Sequence, residues 1–108
     1  MGYIVHHTIV VTCWKRDDID LAHAEAVRLG MQVSAPVEGA INGDFSFFVA
    51  PDGSKEGWED STLGDGRRTK LKAWLRTSGI YCDWVEVAFG GDYNGAHVVE
   101  HGDMEAAP

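Results

Sequence analysis

The longest run of β-type residues lies at the start of the chain, in the stretch Tyr3–Trp14, YIVHHTIVVTCW. β-branched and aromatic residues dominate this stretch, and it contains no Gly or Pro, which is typical of a β-strand. Side chains along a strand point alternately to its two faces. The odd-numbered face, with Val5, Ile9 and Val11, is the more apolar and is predicted to meet the core. Because the even-numbered face is also partly apolar, we expect this strand in the middle of a sheet.

A helical period follows the first strand. Four residues recur at helical spacing and are predicted to share the buried side of a helix: Ile19, Ala22, Ala26 and Leu29. The helix is expected from about Asp18 to Leu29, with Asp17 or Asp18 as its N-cap and Gly30 as its C-terminal stop. His23 falls on the same side, where we expect a packed, hydrogen-bonded histidine.

A second helix is predicted to begin between Ser61 and Gly66 and to end near Thr77. The residues assigned to its inner side are Leu63, Arg67, Leu71, Trp74 and Leu75. The charged residues expected to point outward, as a solvated helix face, are Arg68, Lys72 and Arg76.

Between the two helices, Val33 to Phe48 is predicted to form a β-hairpin. Asn42-Gly43 is a strong signal for a two-residue type I′ turn, because both central residues of that turn need positive φ. Such a turn sets Val37 opposite Phe48.

Pro36 and Glu38 constrain the first strand of this hairpin. Pro36 cannot donate a ladder hydrogen bond, so its strand is expected at the edge of the sheet. The same register places Glu38 opposite Phe47. Either that face of the hairpin is open to solvent, or a bulge shifts the register.

The last long strand is predicted at Cys82–Phe89, and a further short strand at Ala96–Glu100. The order β-α-β-β-α-β, with an extra C-terminal strand, is typical of a ferredoxin-like α+β fold. Right-handed crossovers would place the first and third strands side by side at the centre, with the last main strand antiparallel to the first. Two helices would then cover one face of an antiparallel sheet. Residues 1–101 are expected to form this single domain and residues 102–108 a flexible C-terminal tail.

The charge balance restricts the function. The chain of 108 residues carries a formal net charge of −8, which disfavours direct binding to nucleic acid phosphates and to anionic membranes. It favours docking onto a basic protein surface. We find neither a signal peptide nor an apolar run long enough to span a bilayer, so a cytoplasmic location is expected.

Sequence spacing gives little support to catalysis or metal binding. Cys13 and Cys82 are predicted to be free thiols, because parity groups Cys13 with the core set and Cys82 with Trp84. His6 and His7 are adjacent and point to opposite faces of a strand, so they cannot share an ion. No phosphate loop and no GxSxG motif occurs. We therefore expect no cofactor and no metal, and we favour a protein that is not an enzyme.

Three groups of residues are candidate binding sites. The first is the open sheet face, an apolar patch of the kind that marks a protein partner or self-association: Ile4, His6, Thr8, Val10, Trp14, Trp84 and Glu86. The second is an acidic surface: Asp83, Asp92 and Glu100. The third is an alternative, a pocket for a small ligand or nucleotide between residues 51–66 and the second helix: Asp60, Asp65, Arg67 and Arg68.

Two stretches carry a resemblance to a known family. The opening YIVHHTIVVT, and VAPDGSKEGWEDSTLGDGRRTKLKAWL followed by WVEVAFGGD, resemble a group of small uncharacterised proteins encoded by bacteriophages and prophages. The resemblance covers most of the chain and brings no catalytic motif. It implies an accessory protein acting on a host factor in the host cytoplasm. Together with the acidic charge, it leads us to expect an inhibitor of a host nucleic-acid-binding complex. The alternative partner is a second copy of the chain, in a homodimer formed through the sheet face.

Overall fold

The computed structural model describes residues 5–51, 59–90 and 95–102. Over these ranges the chain is an α+β protein with two helices and a five-stranded antiparallel sheet. The elements in chain order are β1 (His6–Cys13), α1 (Arg16–Arg28), β2 (Val37–Glu38), β3 (Phe45–Val49), α2 (Glu59–Thr77), β4 (Cys82–Phe89) and β5 (His97–Gly102). The strands lie in the order β2-β3-β1-β4-β5.

The first strand lies at the centre of the sheet, as its two partly apolar faces predict. β1 pairs antiparallel with β3 on one side and with β4 on the other. The β1–β4 register sets Ile9 opposite Glu86, Val11 opposite Trp84, and Cys13 opposite Cys82. Since directly opposed residues share a face, the two cysteines point to the same side of the sheet. The parity argument that placed them on different faces is wrong.

Both helices contribute to one core against the odd-numbered face of β1. Ile9, Val11 and Cys13 are completely buried there. The helix residues in the same cluster are Ile19, Ala22 and Ala26 of α1 and Leu71 and Leu75 of α2. The small alanines bring α1 close to the sheet, and burial of these apolar side chains provides the main stabilisation of the fold.

The ends of α1 differ slightly from expectation. Its N-cap is Lys15, which makes no side-chain capping bond. Asp17 and Asp18 lie in the first turn instead, where their negative charges interact favourably with the helix dipole. At the other end Gly30 adopts φ +83°. The N–H groups of Gly30 and Met31 donate to the carbonyls of Val27 and Ala26, which is a Schellman motif.

His23 occupies the predicted position on the buried side of α1. Its Nε2 lies 3.1 Å from the Ser34 carbonyl oxygen, and its ring meets the Phe47 ring edge-on at 5.3 Å between centroids. The expectation of a packed, hydrogen-bonded histidine is confirmed.

The predicted hairpin register is wrong by two residues. Val37 pairs with Ser46, and Glu38 pairs with Phe45. The Gly39 N–H donates to the Asp44 carbonyl oxygen at 2.5 Å, so a four-residue loop replaces the two-residue turn. Gly43 takes a positive φ, at +75°. The predicted edge position of the strand after Pro36 is confirmed, because β2 is an outer strand of the sheet.

The predicted orientation of α2 is partly wrong. Leu71 and Leu75 are buried as expected. Arg68 and Lys72, assigned to the solvated side, have exposures of only 3% and 8%, while Leu63, assigned to the inner side, is exposed. The helix is turned so that its basic side chains reach a carboxylate on the sheet below.

Substitutions of Val11 and Val10 test which face of β1 the helices cover, because these neighbouring valines point to opposite faces of the sheet. Val11 is fully buried and Val10 is 36% exposed. Val11→Ala is expected to lower the free energy of unfolding by about 2 kcal/mol, from the lost methyl groups and the cavity they leave. Val10→Ala is expected to cost less than about 0.5 kcal/mol. Urea denaturation of both variants measures the difference, and equal losses would contradict the assignment of faces.

Candidate functional site

The sheet face turned away from the helices, called the open face below, carries an apolar patch. Val10 lies at its centre, opposite Phe48 on β3 and Val85 on β4. The exposed apolar members of the patch are Val10, Phe48, Phe89 and Val98, and the half-buried members are Val85 and Val87. None of the five strands contains a Lys or Arg, so no strand residue brings a positive side chain to this face.

Polar side chains on the open face have partners within the sheet. The Thr8 hydroxyl donates to the Val49 carbonyl oxygen at 2.7 Å. The Thr12 and Ser46 hydroxyls, on neighbouring strands, lie 2.8 Å apart. The His6 ring packs against the Phe89 ring at 5.1 Å. With these groups already bonded or packed, a partner would desolvate few unpaired polar groups on covering the patch.

Some of the residues predicted for the open face lie there in the structure, and others lie on the face that the helices cover. His6, Thr8 and Val10 lie on the open face, and Trp14, which follows β1, is 69% exposed. Ile4 lies outside the described residues.

The predicted placement of Trp84 and Glu86 on the open face is wrong. Both are buried on the face that the helices cover, because the register sets them opposite odd-numbered residues of β1. In their place β4 contributes Val85, Val87 and Phe89, which the sequence interpretation assigned to the core. Alternating apolar residues on both faces of β4 gave no local signal to choose between the two sets.

The acidic candidates are also divided between the two faces of the sheet. Asp83 is exposed and lies opposite Thr12, on the open face. Glu100 lies opposite Glu86 on the other face and is paired with Lys72, at 2.8 Å, and with Arg76. Asp92 lies outside the described residues. Of the acidic candidates in the described ranges, only Asp83 therefore lies on the open face.

Under α2, a buried cluster of charges forms around Glu86. The Lys72 ammonium donates to Glu86 Oε1 at 2.5 Å. On the other oxygen, His7 Nδ1 lies 2.9 Å from Oε2, and the Arg68 Nε lies 3.8 Å away. Glu86 is only 3% exposed, so these partners replace the water that its carboxylate has lost.

The cluster extends to both sides of Glu86. Arg68 also pairs with Asp65 one turn earlier on α2. Lys72 bridges Glu86 to Glu100 on β5, and Arg76 pairs with the same Glu100. No buried side-chain polar atom in the described ranges is left without a hydrogen bond. The cluster thus ties α2 to both β4 and β5.

The ionisation of Glu86 argues against an acid–base role. Burial alone raises the pKa of this carboxyl, but the hydrogen bonds and charges of Lys72 and His7 outweigh it and hold the pKa below its usual range. A general acid would need a raised pKa and contact with a substrate. Glu86 remains ionised, beneath a helix, with both oxygens engaged. We interpret the cluster as a structural ion network.

A cleft lies near the residues of the predicted alternative site. It has a volume of about 220 Å³ and is lined by Gly30, Met31, Gln32, Val49, Ala50, Gly64, Arg67 and Arg68. Most small-ligand pockets are larger, from about 300 Å³ upward. Arg68 is committed to Asp65 and Glu86.

Arg67, the second basic side chain of the cleft, lies against Gly30 at the carboxyl end of α1, where the helix dipole favours a cation. The side chain of Asp60 lies outside what the structure describes. Both arginines of the cleft therefore already interact with negative charge or a helix dipole in the protein, so neither is evidence for an anionic ligand.

Among the described residues, no three His, Cys, Asp or Glu side chains come together as metal ligands. No helix in those ranges is both long and apolar enough to cross a membrane.

Comparison with known proteins adds no relative: no protein-family model, no curated protein and no solved structure matches the chain.

Glu86→Gln tests the ion network. The amide would remove the buried anion that Lys72 and Arg68 share and leave them with the more exposed Glu100 and Asp65, so the free energy of unfolding is expected to fall by about 3–5 kcal/mol. The matched control is Asp20→Asn, which breaks an exposed ion pair with Arg16 on α1 and should cost less than about 1 kcal/mol. Urea denaturation at neutral pH measures both changes. Similar losses in the two variants would contradict the central role given to Glu86.

The lowered pKa of Glu86 also predicts a pH dependence. Because the folded-state pKa lies below the ordinary value of 4.5, this group contributes stability above that value and loses it as the pH falls through the folded-state pKa. Unfolding free energies from about pH 7 down to about pH 3 should therefore fall less steeply for Glu86→Gln than for the natural chain. Parallel acid profiles would show that Glu86 does not titrate as assigned.

Proposed function

We propose that this chain is a non-enzymatic protein-binding module that docks a partner protein on its open face. The observation that carries the proposal is the apolar patch centred on Val10, Phe48 and Val85, with exposed apolar members on four adjoining strands. Exposed apolar patches on a sheet face are typical of protein interaction sites. Both helices pack on the opposite side, so within the described residues no helix covers this patch.

Charge supports a basic partner. The chain has a formal net charge of −8, and its strands contribute Asp83 but no positive side chain to the open face. Arg68, Lys72 and Arg76 are engaged with carboxylates on the helix side. A partner surface complementary to the open face would be an apolar patch bordered by Lys and Arg side chains. Proteins that hold nucleic acid phosphates carry such borders, and a host protein of that class, blocked by docking, is the partner we propose.

The sheet architecture supports the same use of the open face. The element order and the central position of β1 between β3 and β4 fit a ferredoxin-like sheet, which we propose is extended here by β5. β5 pairs with β4 on the side away from β1 and sets Val98 opposite Val87. The added strand thereby widens the apolar patch.

Phe48→Ser and Leu21→Ser form a matched pair for testing this proposal. Both side chains are large, apolar and about half exposed, but Phe48 lies on the open face and Leu21 on α1. The natural chain and Leu21→Ser are expected to capture the same basic protein from bacterial lysate at low salt. Phe48→Ser should lose it, and titration of the purified pair should show a Kd raised at least about tenfold. Raising the salt concentration should weaken the natural complex.

Three results would overturn the proposal. One is the absence of a specific partner, and another is equal capture by both variants. The third is a dimer of the natural chain, seen by light scattering, that Phe48→Ser converts to a monomer, because the open face would then serve a second copy. Val98→Ser is a second open-face variant, and circular dichroism checks that each variant is folded.

A further inference from the structure

Cys13 and Cys82 form a thiol pair at one end of the sheet. They are directly opposed in the β1–β4 register, and both are buried, with exposures of 0% and 6%. No disulfide joins the two cysteines in this structure.

The backbone geometry of such a pair suits a covalent bond. Directly opposed residues of an antiparallel pair have Cα atoms about 4.5–5.5 Å apart, which lies within the range of about 4.4–6.8 Å found for disulfides. Their Cβ atoms lie about 4.5–5.5 Å apart, so an approach of about 1 Å gives disulfide spacing. The strand pairing therefore places the two cysteines where a disulfide can form after a small local approach of the strands.

We propose that Cys13 and Cys82 form a dithiol redox site whose substrate is a low-molecular-weight disulfide, and that reaction converts the pair to a cross-strand disulfide. This inference is independent of the proposed binding function, because both thiols lie on the helix-covered face.

The two thiols have different roles. Cys82 is the first residue of β4, next to the exposed Tyr81, and retains slight exposure. Interaction with the Cys82 thiol, together with burial, raises the pKa of Cys13. Burial and the carboxylates of Asp18 and Asp83 oppose the thiolate at both positions. Because Cys82 retains slight exposure and Cys13 has none, Cys82 is the attacking thiol.

The reaction proceeds in two exchange steps. The Cys82 sulfur attacks one sulfur of the small disulfide, forms a mixed disulfide and releases one small thiolate. Cys13 then loses its proton, and its sulfur attacks the Cys82 sulfur, which breaks the mixed disulfide and releases the second small thiolate. Overall the two protein thiols are oxidised by two electrons, and the disulfide is reduced to two thiols that take up the two protons.

Oxidised glutathione is the probe that tests the site. After incubation with it, the reduced full chain is expected to remain a monomer and to lose the mass of two hydrogen atoms. Thiol labelling in denaturant without reductant should then detect neither cysteine. Because the new bond closes a long loop that contains both helices, Tm should rise by on the order of 10 °C, and dithiothreitol should reverse the rise. Two reactive thiols after equilibration, or a disulfide-linked dimer, would overturn the proposal.

Single variants test the order of attack. Cys13→Ala leaves Cys82 and is expected to accumulate a stable glutathione adduct. Cys82→Ala leaves the fully buried Cys13 and should form its adduct at least about tenfold more slowly. Equal rates in the two variants would contradict Cys82 as the attacking thiol. The measurement on the natural chain does not depend on how well either variant folds.

Discussion

The buried carboxylate of Glu86 is the constraint on which the helix side of this protein depends. An ionised group removed from water requires opposite charge and hydrogen bonds at close range. Lys72 and His7 supply them directly, with Arg68 nearby. Since Arg68 and Lys72 are one turn apart on α2, both can reach the sheet only if that side of the helix faces inward. The orientation of α2 therefore follows from Glu86 as well as from the apolar side chains Leu71 and Leu75.

The same pairing explains why the two faces of the sheet differ. Lys72 and Arg76 bind Glu100 on β5, and Arg76 also lies over the Trp84 ring at 5.1 Å. Arg68, Lys72 and Arg76 are thus directed from α2 toward the sheet. The open face receives none of them and presents apolar side chains with Asp83. A buried ion network is a weak argument for stability compared with an apolar core, but here it accounts for orientation and for the separation of charge.

Local patterns were sufficient for part of this structure. The parity of Ile9, Val11 and Cys13 placed the buried face of β1, and the period of Ile19, Ala22 and Ala26 placed that of α1. These assignments depend only on neighbours along the chain. The same is true of the predicted bounds of β4, Cys82–Phe89, which the structure confirms.

The remaining features depend on contacts between distant residues. On β4, Trp84 and Ala88 form one face and Val85 and Val87 the other, and the two faces are similarly apolar. Only the charged residues of α2 and the register with β1 decide which face enters the core. Arg68 and Lys72 look like solvated residues until Glu86 is known to lie beneath them. The Asn42-Gly43 signal was outweighed by a four-residue loop closed between Gly39 and Asp44.

One register connects the three features described above. Pairing of β1 with β4 sets Ile9 opposite Glu86, Val10 opposite Val85, and Cys13 opposite Cys82. A slip of one residue would turn each β4 side chain to the other face. Glu86 would then leave its cations, Trp84 would enter the open face, and the thiols would separate. Because the loss of buried ion pairing penalises that slip strongly, the charge cluster stabilises the register on which both the apolar patch and the thiol pair depend.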